Sequence, residues 1–105
     1  MDGKTTIKYL QNYIKSKDYN KEQVNEYFLK LAGEVGEVAD AIRKNKVRAE
    51  NGGIKDTIDE ELWDVIYYVI TIANCYDIDL ETVIKEKEAI NNVKYNTGIE
   101  FEEGR

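Results

Sequence analysis

Apolar residues recur along this chain at helical spacing, broken by short polar stretches. Ile7, Leu10 and Ile14, with Tyr13 alongside, mark a first helix over about residues 5–17. Residues 17–20 interrupt the pattern, and Asn20 is a suitable N-cap for a long second helix running to about residue 45. Its stripe is Val24, Phe28, Leu31, Val35, Val38 and Ile42. KVRAENGGIKD follows, without apolar periodicity and with an NGG run, so it reads as a loop. Asp56 or Thr57 can cap a third helix over about 58–76. Asp79 in DIDLE can cap a fourth, which ends near residue 96, where Thr97-Gly98 supplies a stop. The acidic tail, about 97–105, is expected to be mobile. The expectation is one all-α domain over 1–105, a four-helix bundle with no internal repeat.

The third helix carries a second message. Beyond Asp64 it reads VIYYVITIA, apolar on nearly every side. A bundle of this size cannot cover such a helix by itself, so part of it should meet another chain. A homodimer is the commonest solution, a homotetramer the next.

Two carboxylate pairs sit inside these apolar segments: Glu34 and Glu37 in the second helix, Glu61 and Asp64 in the third. Residues at i and i+3 share a helix face. If the two helices pack antiparallel, four carboxylates converge. A lone buried carboxylate is costly, so such groups are usually paired, protonated or bound to metal. Asp64 is the most telling, because aspartate is a poor mid-helix residue and here it interrupts an apolar run. All-oxygen ligation suits a hard cation, Mg²⁺ or in its place Mn²⁺, which commonly takes one or two carboxylates together with substrate phosphates. The ordinary alternative is that glutamates at i, i+3 belong to a solvated face.

Composition narrows the chemistry. Of 105 residues, 15 are basic and 21 acidic, a net charge of −6 that argues against a nucleic-acid polymer as partner. There is no histidine, which excludes Ser-His and Cys-His catalysis and imidazole-ligated zinc. The single cysteine, Cys75, lies in an apolar run and reads as a buried free thiol. The N-terminus lacks the apolar region of a signal peptide, and the longest apolar run is well short of the ~20 residues a bilayer requires. A soluble, cytoplasmic protein is expected.

The runs KLAGEVGEVADAI, EELWDVIYYVITIA and DIDLETVIKEKEAINNVKY, in this order and spacing, resemble the MazG-like nucleotide pyrophosphohydrolases of the all-α NTP pyrophosphatase superfamily. That family's pattern is two adjacent glutamates, two other residues and a third glutamate, followed downstream by E-x-x-D. The resemblance covers about residues 28–95 and implies a Mg²⁺-dependent enzyme that cuts nucleoside triphosphates to monophosphate and pyrophosphate. It places Glu34, Glu37, Glu61 and Asp64 at the metal ligands; with no histidine in the chain, a carboxylate must be the general base if the protein supplies one, with Glu34 or Glu37 the first candidates. Gly33 stands where the family has its first glutamate, a departure that removes no metal ligand. GEVGE is similar to the form in the branch that includes dCTP pyrophosphatases. In that branch Lys87, Asn91 and Tyr95, on one stripe of the fourth helix, and Tyr68 fall at substrate-contacting positions. Lys30 fits the family's K-L, though an ion pair with Glu34 one turn on explains it equally well. Lys94 is either a phosphate contact or a solvated end-of-helix cation. Two rival readings stay open: a non-catalytic nucleotide or metal sensor, and a plain helical interaction module.

Overall fold

A computed structural model describes residues 4–102. Four α-helices and no strand occur among them: α1 (Ile7–Lys17), α2 (Val24–Arg43), α3 (Ile58–Cys75) and α4 (Leu80–Lys94), with a 3-10 turn, Lys21–Gln23, leading into α2. The all-α, four-helix expectation holds. No helix among the described residues is long and apolar enough to cross a membrane.

Local chemistry sets the starts. Thr6, Asn20, Thr57 and Asp79 each accept a backbone N–H with their side chains and so satisfy one of the donors a helix leaves open at its N-terminus. Of the two cap candidates for α3, Thr57 takes the role. The C-termini share one device. Asn45, Asp77 and Asn96 adopt positive φ just past α2, α3 and α4. The following N–H reaches back over the last turn in each case: Lys46 to the Ala41 carbonyl, Ile78 to Ala73 and Thr97 to Asn92. The left-handed stop therefore falls on Asn96, the residue just before the Thr97-Gly98 pair expected to supply it.

α3 runs antiparallel to α2. The Ile58 N–H donates to the Lys46 carbonyl at one end (3.0 Å), and Cys75 Sγ sits 3.9 Å from the Asn20 carbonyl at the other. α1 also packs on α3, antiparallel, with Gln11 against Asn74 and Asp18 against Tyr67. Ile14, Ile70 and Thr71 form the driest part of the core between them. α4 joins through its first turns. Gln11 Nε2 donates to the Ile78 carbonyl (2.8 Å), the Leu80 N–H donates to Gln11 Oε1 (3.1 Å) and the Lys8 N–H donates to Glu81 (2.8 Å). None of its residues is fully buried, and Val93 near its end is 83% exposed.

The single stripe expected on α2 is in fact two. Val24, Tyr27, Leu31, Glu34, Val38 and Ala41 are buried or half-buried, whereas Phe28, Val35 and Ile42, spaced by seven, stay exposed. On α3, Leu62, Ile66 and Val69 are exposed as well. The radius of gyration is 16.2 Å, against about 13 Å for a compact chain of this length. Residues 97–102 turn beside α4, where Ile99 and Phe101 line a groove with Lys85, Ala89 and Val93. The remainder of the tail expected to be mobile, 103–105, lies outside the described residues.

Candidate metal centre

Antiparallel packing brings together three of the four carboxylates expected to converge. Glu34 comes from the middle of α2, Glu61 and Asp64 from the first two turns of α3, and oxygens of all three lie within 4.8 Å of one another. Glu37 stands apart. It is exposed and outside this close group, yet its charge is felt by both Glu34 and Glu61.

The electrostatics of the group are unfavourable as it stands. Burial pushes the Glu34 carboxyl pKa up, and a hydrogen bond with Asp64 and the charges of Asp64, Glu61 and Glu37 push it further. Burial likewise raises that of Glu61, aided by Asp64, Glu37, Glu60 and Asp56. Glu61 is only 8% exposed. Among the described residues its carboxylate accepts no hydrogen bond and faces no cation, which is the situation proteins avoid unless a proton or a metal ion supplies the missing charge. An all-oxygen set of this kind fits Mg²⁺ or Mn²⁺ and does not fit a soft or borderline metal.

Glu34 and Asp64 also line a cavity of about 350 Å³ with Asp18, Trp63, Tyr67 and Tyr68. Three of these walls escaped the sequence reading. Asp18 caps the end of α1 and is held by two tyrosines: Tyr27 Oη donates to Oδ1 (3.2 Å) and Tyr67 Oη to Oδ2 (3.0 Å). Burial, then the bond to Asp18, drives the Tyr67 pKa well above its ordinary range, so it remains a donor at any working pH. Trp63 and Tyr68 both meet the Tyr67 ring edge-on, at 6.1 and 5.2 Å between centroids. Tyr67 could have been found from its i+3 relation to Asp64; nothing near Asp18 in the chain marks it.

Tyr68 thus joins the cavity. The other substrate candidates do not line it. Lys30 is exposed and forms no ion pair with Glu34. On α4, Lys87 is exposed, Asn91 donates to Glu88 (3.2 Å), and the Lys94 ammonium lies 5.2 Å from the centre of the exposed Tyr95 ring. At Gly33 an added side chain would meet nothing within 4 Å, so packing alone does not require a glycine there. Cys75 is a buried free thiol whose pKa is raised by burial, as its apolar surroundings led one to expect.

Known proteins share this fold. A crystal structure of iMazG from Vibrio DAT 722, in its Ntag form, is 43% identical and superposes with a TM-score of 0.79 over 88% of this chain and 99% of that one. The Ctag form gives 40% identity and a TM-score of 0.77 over 84% and 99%. No curated protein matches the chain. Residues 22–93, which hold all four acidic positions and most of α4, match the model of the MazG nucleotide pyrophosphohydrolase domain. The chain belongs to the MazG nucleotide pyrophosphohydrolase family.

Proposed function

We propose that this protein hydrolyses deoxynucleoside triphosphates between the α- and β-phosphates, giving monophosphate and pyrophosphate, with Mg²⁺ as cofactor and Mn²⁺ as a substitute. The observation that carries the reading is the group Glu34, Glu61 and Asp64, with oxygens within 4.8 Å and one member, Glu61, 8% exposed and without a counter-charge. Bound there, the cation would neutralise phosphate charge and orient a water molecule. Glu34, Glu61 and Asp64 hold it. Glu37, exposed at the rim and outside the close group, takes the proton from the attacking water. Trp63, Tyr67 and Tyr68 offer aromatic surface for a base beside the carboxylates, where Asp18 fixes the Tyr67 hydroxyl.

The reading includes assembly. The protein acts as a homodimer or a higher homo-oligomer in the cytoplasm. Its support is the exposed apolar faces of α2 and α3 and the open shape of the single chain. Lys87, Asn91, Lys94 and Tyr95 then serve the phosphate end of the substrate, with Lys30 nearer the ion. α4 is tied to its own chain mainly by its first turns, so assembly is what brings this polar stripe against a carboxylate cavity.

The test is pyrophosphate release from a panel of ribo- and deoxynucleoside triphosphates, with Mg²⁺ and with EDTA, for wild type and Asp64→Asn. Metal-dependent release that the substitution removes is expected. A folded, metal-supplied protein silent across the panel would overturn the enzyme reading, and nucleotide-dependent stabilisation would then separate a sensor from a helical interaction module.

A further inference from the structure

The fold uses only part of what Asp18 offers. Its two hydrogen bonds tie the end of α1 to α2 and α3, with Tyr27 donating to Oδ1 (3.2 Å) and Tyr67 to Oδ2 (3.0 Å). A carboxylate accepts at about four lone-pair sites, so each oxygen keeps an open one. Asp18 is half-buried and makes no ion pair among the described residues. It stands outside the close group of Glu34, Glu61 and Asp64, so a cation held there does not account for it. Yet it lines the same cavity as Glu34 and Asp64, beside Trp63, Tyr67 and Tyr68. The wall that holds it is fixed. The Tyr67 hydroxyl is committed to Oδ2, its ring meets Trp63 and Tyr68 edge-on, and the Lys17 ammonium lies 5.3 Å from the ring centre.

We propose that Asp18 is a specificity-determining residue that reads the nucleotide base, accepting a hydrogen bond from an exocyclic amino group and so favouring cytosine, adenine and guanine over thymine and uracil. The proposal rests on the function proposed above. With the phosphates drawn to the cation, the neutral base is the part of the substrate left for the aromatic walls and Asp18. Base chemistry then decides the sign. Cytosine and adenine each present an amine on the pairing edge, and guanine presents an amine beside a ring N–H. Thymine and uracil place a carbonyl oxygen where cytosine has its amine, and an acceptor facing a carboxylate is repelled. One hydrogen bond to a charged group is worth ~10–100-fold in affinity.

Binding is tested apart from turnover, by calorimetric titration of the whole protein with Mg²⁺ and the non-hydrolysable α,β-imido analogues of dCTP, dATP, dGTP, dTTP and dUTP. In wild type the three amino-bearing analogues are expected to bind ~10–100-fold more tightly than the other two, and Asp18→Asn should close most of that gap. If Asp18 serves the fold alone, the substitution weakens all five together and leaves the ratio intact, which overturns the proposal. Should the variant fail to fold by circular dichroism, the wild-type protein decides. The dATP analogue is compared with its counterpart lacking only the 6-amino group, and equal affinity overturns the proposal. Selective binding without pyrophosphate release from the parent nucleotides would uphold the role of Asp18 and sink the enzyme reading; release without selectivity would do the reverse.

Discussion

At the scale of single residues, Glu61 concentrates the tension in this molecule. Its carboxyl and that of Glu34 titrate above the ordinary 4.5, first because burial starves the anion of water and then because neighbouring carboxylates repel it. The folded chain therefore binds these protons more tightly than the unfolded one. The resulting stabilisation is complete below the unfolded value and is lost as pH rises through the raised folded values. Asp40, Asp77 and Asp79 have lowered pKa values, from hydrogen bonds with Lys44, Lys21 and Thr82 respectively, and matter only as pH falls toward and below 3.8. In the window between, metal-free protein should melt at a higher temperature at pH 5 than at pH 7, and millimolar Mg²⁺ should close the gap at pH 7. Scanning fluorimetry in EDTA reads this directly; melting that rises from pH 5 to 7 would contradict it. Glu37→Gln separates a proton acceptor from a ligand. Loss of a general base predicts a fall in kcat of ~10²–10⁴-fold, with Mn²⁺ affinity preserved. A parallel loss of affinity would return Glu37 to the ligand set.

Element by element, the helices were legible because caps and periodicity are local. Thr57 and Asp79 stand immediately before their apolar runs, and the structure begins α3 and α4 there. What the chain does not announce is which apolar residue faces inward. Phe28, Val35 and Ile42 obey the same period as Leu31 and Val38, and only packing against α3 separates the two stripes. The carboxylates were legible for a similar local reason, the i, i+3 spacing on two consecutive helices. Asp18 was not, because its role depends on tyrosines 9 and 49 residues away. The helix ends also depart from the glycine rule. With Asn45 at φ 53° ending α2, Asn45→Gly should stabilise the protein by up to ~1 kcal/mol, since glycine carries no Cβ penalty in the left-handed region. Chemical denaturation measures this, and a loss of stability would mean that the Asn45 side chain holds the loop. The buried amide pair is a sharper case. Gln11 Nε2 donates to Asn74 Oδ1, and Asn74 Nδ2 donates to the Gln11 carbonyl, locking α1 to α3 beside the start of α4. Asn74→Ala should cost about 1–3 kcal/mol, the price of stranding buried polar partners.

The single chain is more open than a compact monomer of its size. It exposes 7975 Å², where a compact monomer of 12.2 kDa would expose about 6,000 Å². The difference is of the order that an obligate interface conceals. Exposed apolar residues lie in stripes on helix faces: Phe28, Val35 and Ile42 on α2, and Leu62, Ile66 and Val69 on α3. Isolated exposed apolar residues are ordinary, but stripes on the two helices that build the carboxylate group are not. On the proposed assembly, a second copy of the chain presenting the same faces about a two-fold axis would cover them without new chemistry. Sedimentation velocity at micromolar concentration should therefore find a dimer or a larger even oligomer and no appreciable monomer. Ile66→Glu, at a site 45% exposed in the single chain, would be nearly neutral on a solvated surface, where substitutions usually stay within ±0.5 kcal/mol. Within an apolar seam it buries an unpaired charge, so it should break the assembly and, because α3 also carries Glu61 and Asp64, lower thermal stability and metal affinity together. A wild-type monomer, or an Ile66→Glu variant that sediments and melts as wild type does, would show that these faces meet water. The carboxylate site would then have to be complete within one chain.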